Sequence, residues 1–506
     1  MALDESLSRE LPKARAWSTL AAVLAILFVT AFQLLEVELG RLEERAPEGP
    51  VPVGRVDLQV EILSRMRAAA SSFGNDSSQA MAPIAEATEP WRQGSISQRL
   101  ARAIVLATCE DHEAAIEQFT EAAEAAKADP EVEAKAAPLL RVTASLLRGG
   151  GVGGTAREGA ATVAERIPVA AWPPPGDDDE LEAEQRLGFV LTLGRAELVG
   201  NASAQSTVRG VGATVGVALV LFMLWIGAAL LGGFAALVTL ITMALIGSLR
   251  LRTGPGVPAS AVLLEVFAIF MSLFLIASSG LAAVVEHFDP LREFVHEHRT
   301  ASIGVHLVVE IGAAWLALAW WRWRGGSWRS LRALAGLDLR AGFWRTTGIG
   351  FVGYALALVL GLGGLIVSLL LAAMVGEERL GDPKHPIHEV ILGDDAGAAW
   401  MVLALGVIVA PILEEIFFRG ALYRGLRDRL GSRGAALVAG SLGAVIVSSS
   451  IFAIIHPQGV LFAPILAGLG AGFCLVREWS GSVAPGILAH ALNNGIMLGF
   501  VIVLTN

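Results

Sequence analysis

From about Val211 to its last residues the chain is a succession of apolar runs, and no feature limits its folding more. The runs lie near 211–248, 259–284, 303–321, 345–374, 398–420, 435–456, 459–476 and 483–503, and one bilayer crossing by a helix takes roughly 20 residues. Hydrocarbon offers no partner to backbone N–H and C=O groups, so such segments must bond internally, as α-helices do. Composition agrees: 54% of the residues are hydrophobic and 17% charged, with a mean hydropathy of +0.60, whereas soluble globular chains carry about 25% charge. The expected fold is all-α: a polytopic α-helical membrane protein.

A further apolar run, about Trp17 to Leu35, follows Arg9, Lys13 and Arg15. It continues into FQLLEVELGRLEE without a small-residue cleavage site, which favours an uncleaved anchor helix over a signal peptide. Basic residues ahead of it set the N-terminus in the cytoplasm. Residues 36–206 are polar and rich in Ala, Glu and Arg. Part of this region (98–149) alternates apolar and polar residues at helical spacing, and Asp129–Pro130 reads as a turn between helices. EDHEAAIEQFTEAAEAA vaguely resembles one helix of a tetratricopeptide pair, but a single copy builds no array, so a small extramembrane helical domain is expected. GGGVGG at 149–154 and WPPPGDDDE at 172–180 read as loops. The chain thus divides into a tail and anchor (1–35), the helical domain (36–206), additional transmembrane helices (207–397) and a last membrane core (398–506).

The net charge is −10, and no basic domain or aromatic-plus-basic face suggests nucleic acid. Cys109 and Cys474 are too far apart in sequence and setting to suggest a disulfide framework. The clusters at 322–340 and 424–433 are expected to face the cytoplasm, and the acidic loop 376–395 the other side. With the N-terminus inside and 36–206 outside, the 211–248 run must cross an odd number of times. Its length suits two passes, so one tilted helix or one crossing with a re-entrant piece is required.

Several polar side chains interrupt the oil, where a charge costs roughly 2.5–3.5 kcal/mol even on a lenient scale. In APILEEIFFRG, Glu415 and Arg419 are four apart, on one helical face and in the favourable order. Glu414 is turned about 100° from them and is left available. His456 follows an apolar helix and precedes Pro457, which disfavours helical geometry at the histidine. Ser482 and Pro485 mark a helix start, after which His490 and Asn494 share a face, with Asn493 beside them. Glu265 and Glu310 sit within apolar runs and are expected to pair with polar neighbours. His385 and His388, in an outer loop, are not expected to bind zinc. His296 and His298 read as an interfacial face, and the tryptophans of 316–328 as an aromatic belt.

Taken together, EExxxR (Glu414, Glu415, Arg419), FxxxH (Phe452, His456) and HxxxN (His490, Asn494) resemble the motifs of the CPBP intramembrane proteases, related to type II CaaX prenyl endopeptidases and bacteriocin-processing proteins. The resemblance covers roughly 398–503. It implies an endopeptidase whose site lies within the bilayer, in which Glu414 and His456 activate a water and Glu414 is the general base. His490 and Asn494 would stabilise the oxyanion, while Glu415 and Arg419 (with Phe452 and Asn493 in support) hold the site together. Two histidines and a glutamate could also form a three-ligand zinc set from Glu414, His456 and His490; with no HExxH to supply a preformed pair, catalysis without metal is preferred. The expected substrate is a membrane-embedded or lipidated protein, prenylated at its C-terminus if the resemblance extends that far, and the expected location a bacterial plasma membrane. The helical domain of 36–206 has no counterpart in the family pattern, and a protein partner is one expectation for it. An inactive scaffold and a proton-coupled transporter remain as alternatives.

Overall fold

The structure, a computed structural model, describes residues 11–13, 15–44, 53, 58–72, 85, 88–109, 111–149, 166–167, 171–248, 253, 257–288, 290–291, 294–295, 298–337, 342–375, 396–430, 434–456, 458–459 and 461–505. Every regular element among them is a helix. His296, His385, His388, Pro457 and most of the GGGVGG stretch lie outside these residues. Close contacts divide the chain into two units, one of 1–46 with 225–498 and one of 47–224 with 499–506.

α1 (Ala16–Glu44) belongs to the first unit, and α2 (Leu58–Ser72), α3 (Ile96–Thr108), α4 (His112–Ala126), α5 (Pro130–Gly149) and α6 (Asp177–Glu197) build the second. Three of the starts are written in the sequence. Ser95 and Gln98 form a reciprocal capping box at α3, and Asp111 Oδ1 accepts the Ala114 N–H at 3.2 Å. Asp129 Oδ1 accepts the N–H groups of Glu131 and Val132 at 2.8 and 3.3 Å, with Pro130 opening the helix where its missing N–H costs nothing. The apolar faces meet in a core around Leu100, Ile104, Phe119, Leu139 and Leu191. The WPPPGDDDE loop is shorter than its composition suggests: Asp177 to Glu180 form the first turn of α6, where acids complement the helix dipole.

The first unit carries most of the apolar helical residues, and the unit boundaries at 224/225 and 498/499 fall within two of the helices. α7 (Ala202–Leu245) is one continuous helix, so the 211–248 run is not broken into two helices. α8 (Ala261–His287), α9 (Arg299–Trp323), the short α10 (Trp328–Ala335) and α11 (Phe343–Val375) follow. α12 spans 396–430 and alternates between α and π turns, the π stretches being Leu405–Val409 and Glu415–Tyr423. α13 (Gly434–Ile454), α14 (Ala463–Ser480) and α15 (Ala484–Thr505) complete it. Six helices among the described residues are long and apolar enough to cross a membrane: α7, α8, α9, α11, α12 and α15; shorter apolar stretches occur in α1 and α13. The protein is a polytopic all-α integral membrane protein.

Three readings need correction. The 459–476 run is displaced: the helix begins at Ala463, with Pro464 in its first turn, and carries Arg477 and Glu478 into a buried position. In the 424–433 cluster, whose last three residues lie outside the described ones, the first arginines are paired. Arg424 pairs with Asp428 at 2.9 Å, and Arg427 with Glu478 at 2.5 Å, all four buried or nearly so. The tryptophan run divides, because Trp315, Trp323 and Trp328 are exposed while Trp321 is buried and donates to the Ser327 carbonyl at 3.0 Å. His298 is exposed and stacks on Phe294 at 4.5 Å.

Small residues let α11 and α14 touch backbone to backbone. A Cβ on Gly472 would lie 2.5 Å from Ala357 Cα, and one on Gly468 would strike the Leu360 carbonyl. Glycines four apart, facing Ala357 and Gly361 four apart, form the close-approach pattern that membrane helices use in place of a hydrophobic driving force.

Candidate active site

Three helices bring the motif residues together. α12 presents Glu414 and Glu415, the end of α13 presents His456, and α15 presents His490. The π turn beginning at Glu415 is wider than an α turn, a distortion often found at functional sites. Within it Glu415 Oε1 and Arg419 Nη1 lie 2.9 Å apart, with exposures of 0% and 1%. The four-residue spacing thus makes the pair read from the sequence.

A buried arginine needs more than one partner. Arg419 Nη2 donates to the Gly470 carbonyl at 3.3 Å. Its guanidinium lies 4.4 Å from the Phe452 ring centre and 5.1 Å from that of Phe473, contacts that stabilise a desolvated cation. Phe452 thereby acts as a hub, because its carbonyl also meets His456 Nδ1 at 2.5 Å.

These contacts set both imidazoles. A carbonyl can only accept, so Nδ1 of His456 carries the proton and Nε2 is turned to the site. Glu415 Oε1 lies 3.2 Å from His490 Nδ1, and an ionised carboxylate likewise only accepts, so His490 also turns Nε2 inward. Each Nε2 points at the same atom: Glu414 Oε2 is 3.7 Å from that of His456 and 3.8 Å from that of His490. Glu414 Oε2 is buried and makes no hydrogen bond. Both separations exceed hydrogen-bonding distance, and a water set to one side of such a pair can bridge it.

Asn494 and Asn493 are joined differently. Asn494 Nδ2 donates to the Gly406 carbonyl at 2.9 Å, and Asn493 Nδ2 donates to Asn494 Oδ1 at 3.3 Å. One amide hydrogen of Asn494 is therefore engaged in the first π stretch of α12, and the second is left for a ligand.

Several contributors escape sequence reading. Phe473 stacks on His490 at 5.0 Å. Gly486 gives Glu415 its room, since a Cβ there would lie 2.9 Å from Oε2. Glu310 of α9 is near enough for its charge and that of Glu414 to act on each other. Glu265 does find partners, in Ser18 at 2.6 Å and Trp320 at 2.9 Å.

Among the described residues no group of three His, Cys, Asp or Glu side chains is arranged to hold a metal ion. Glu414 Oε2 stands 3.7 Å from His456 Nε2 and 3.8 Å from His490 Nε2, so these three are the residues that would hold a metal if one binds.

The helices and this cluster define a class: a polytopic membrane protein whose apolar helices bring two glutamates and two histidines together. Residues 396–496 match the model of the type II CAAX prenyl endopeptidase Rce1-like family, which bears out the resemblance carried by the three motifs. No curated protein and no solved structure matches the chain.

Proposed function

We propose that the protein is an intramembrane endopeptidase that hydrolyses a peptide bond in a membrane-associated protein, and that prenylated C-terminal segments are the substrate class the family match favours. The observation that carries this reading is Glu414 Oε2, buried without a hydrogen bond between two imidazole nitrogens. A water there would donate one proton to Glu414 and the other to His456 Nε2, which fixes its lone pair towards the scissile carbonyl. Glu414 takes a proton as the water attacks and returns it to the departing amine. Stabilisation of the developing oxyanion falls to His490, held by Glu415, together with the second Asn494 amide hydrogen. Each such donor is worth about 2.7–4 kcal/mol in a dry, prearranged site.

Arg419 and Phe452 hold this arrangement without touching substrate. The basic residues before α1 favour a cytoplasmic N-terminus in a plasma membrane, which puts the helical domain outside, where it can select or recruit substrates. The test is hydrolysis of a panel of prenylated and unprenylated membrane-associated peptides by the purified protein. Glu414→Gln and His456→Ala should abolish cleavage while leaving helix content unchanged, and a strong chelator should leave the wild-type rate unchanged. Cleavage by Glu414→Gln at the wild-type rate would remove the mechanism. Loss on chelation with recovery on zinc would replace it with metal catalysis.

A further inference from the structure

We propose that α1, α8 and α9 form a binding site for one anionic phospholipid, separate from the carboxylate–histidine cluster and independent of the protease reading. The site has an apolar part and a cationic part that adjoin.

The apolar part is a cavity of about 350 Å³ lined by Ala21, Ala22 and Ala25 of α1 and by Ala268, Ile269 and Leu273 of α8. Three alanines on one face of α1 leave the space open where larger side chains would fill it. Beside it lies a second cavity, of about 500 Å³, bounded by Lys13, Arg15, Arg324 and Trp323. Trp17 and Trp320 line both, so the two spaces share an aromatic wall. Indole rings prefer the level of the lipid headgroups, and cationic side chains beside a membrane attract anionic lipids.

Glu265 also borders the apolar cavity, and its contacts decide what can enter. Its carboxylate accepts the Ser18 hydroxyl at 2.6 Å and the Trp320 indole N–H at 2.9 Å. Arg324 lies 3.4 Å from it and donates to the Lys13 carbonyl at 2.9 Å. The acid is thus balanced within the protein, and Arg324 is largely engaged by it. Lys13 and Arg15 are exposed beside the mouth, where they supply the net positive charge for a phosphate. An acyl chain in the alanine-lined slot and a phosphodiester at Lys13 and Arg15 satisfy both parts with one molecule. A free anion would leave the slot empty, and a neutral lipid would leave the cations unmatched.

The experiment is native mass spectrometry of the full-length protein in detergent, with phosphatidylglycerol and phosphatidylcholine of identical acyl chains. Phosphatidylglycerol should be retained roughly tenfold more strongly, given the attraction that two interfacial cations exert on one anionic headgroup. Lys13→Gln with Arg15→Gln should remove that preference, and Lys13→Arg with Arg15→Lys should keep it. Ala21→Leu with Ala25→Leu should fill the slot and lower retention of both lipids. Equal retention of the two lipids by the wild type, or an unchanged preference in the Gln variant, overturns the proposal. So does retention indifferent to acyl-chain length with inorganic phosphate competing fully, which would mark an anion site without a tail. Glu414→Gln should bind lipid as the wild type does, so failure here leaves the protease reading untouched.

Discussion

Glu415 joins His490 across two helices, Oε1 to Nδ1 at 3.2 Å, while the same oxygen faces Arg419 Nη1 at 2.9 Å. One carboxylate therefore does two things: it fixes an imidazole and it balances a buried guanidinium. The adjacent Glu414, a fraction of a turn away, does neither, and its Oε2 is left without a hydrogen bond. Helix geometry alone thus separates two neighbouring glutamates: one is bound within the protein, and the other turns an oxygen without a hydrogen bond towards two imidazoles.

The double duty of Glu415 can be taken apart. Glu415→Gln should lower kcat by on the order of 10²–10⁴-fold, because an orienting carboxylate sets both the tautomer and the charge of its histidine. It should also destabilise the protein, by about 3–5 kcal/mol, because Arg419 is then a buried cation without its counter-ion. Adding Arg419→Met should restore much of the stability and none of the activity. Thermal unfolding in detergent and single-substrate kinetics measure the two effects separately. Recovery of activity in the double variant would show that Glu415 acts only as a counter-ion.

The legible parts of this fold are those whose causes are local. Ser95, Asp111 and Asp129 announce helix starts because a cap needs only its own next three residues, and Glu415–Arg419 follows from helical spacing. The three motifs name Glu414, His456 and His490 without giving the contacts that aim them. Those contacts come from other helices: the Phe473 ring on His490, the space at Gly486, the charge of Glu310. None carries a periodic or capping signal, and a glycine in an apolar run reads the same whether it faces lipid or a carboxylate. The same limit explains Arg427. Its sequence neighbours make a basic cluster, whereas its partner Glu478 is 51 positions away.

Gly472 links packing to the site. It lies against Ala357, and the next residue, Phe473, stacks on His490. Gly472→Val should push α14 from α11 and shift Phe473 with it, at about 1–3 kcal/mol, as overpacking usually costs. Cleavage should fall although no group that touches substrate has changed. Gly363→Val is the control, since nothing lies within 4 Å of a Cβ there, and it should leave both properties nearly unchanged. Equal losses from the two variants would show that the effect is general to α-helical glycine and not to this contact.

The helical domain has its own strained point. Gly188 interrupts α6 with φ 55° and ψ −142°, a conformation open to glycine and few others. The kink takes the Phe189 N–H out of the helical ladder, and Glu61 of α2 accepts it through both oxygens at 3.0 and 3.2 Å. Burial raises the Glu61 carboxyl above the ordinary carboxylate range, outweighing the opposing pull of Arg65 and of the Phe189 N–H. A carboxyl raised in this way holds its proton longer in the folded state than in the unfolded one. Stability then falls as pH rises from the unfolded value, about 4.3, through the raised folded value. Glu61→Gln can still accept from Phe189 and carries no charge, so over that window it should lose less stability than the wild type. Gly188→Ala should cost at least about 1–3 kcal/mol from backbone strain, and more because its Cβ would lie 2.5 Å from Glu61 Oε2. Hydrogen exchange of the α6 amides in the full-length protein, followed against pH, reads both effects locally. A wild type whose α6 protection strengthens relative to Glu61→Gln as pH rises would reverse the sign and exclude Glu61 as the titrating group.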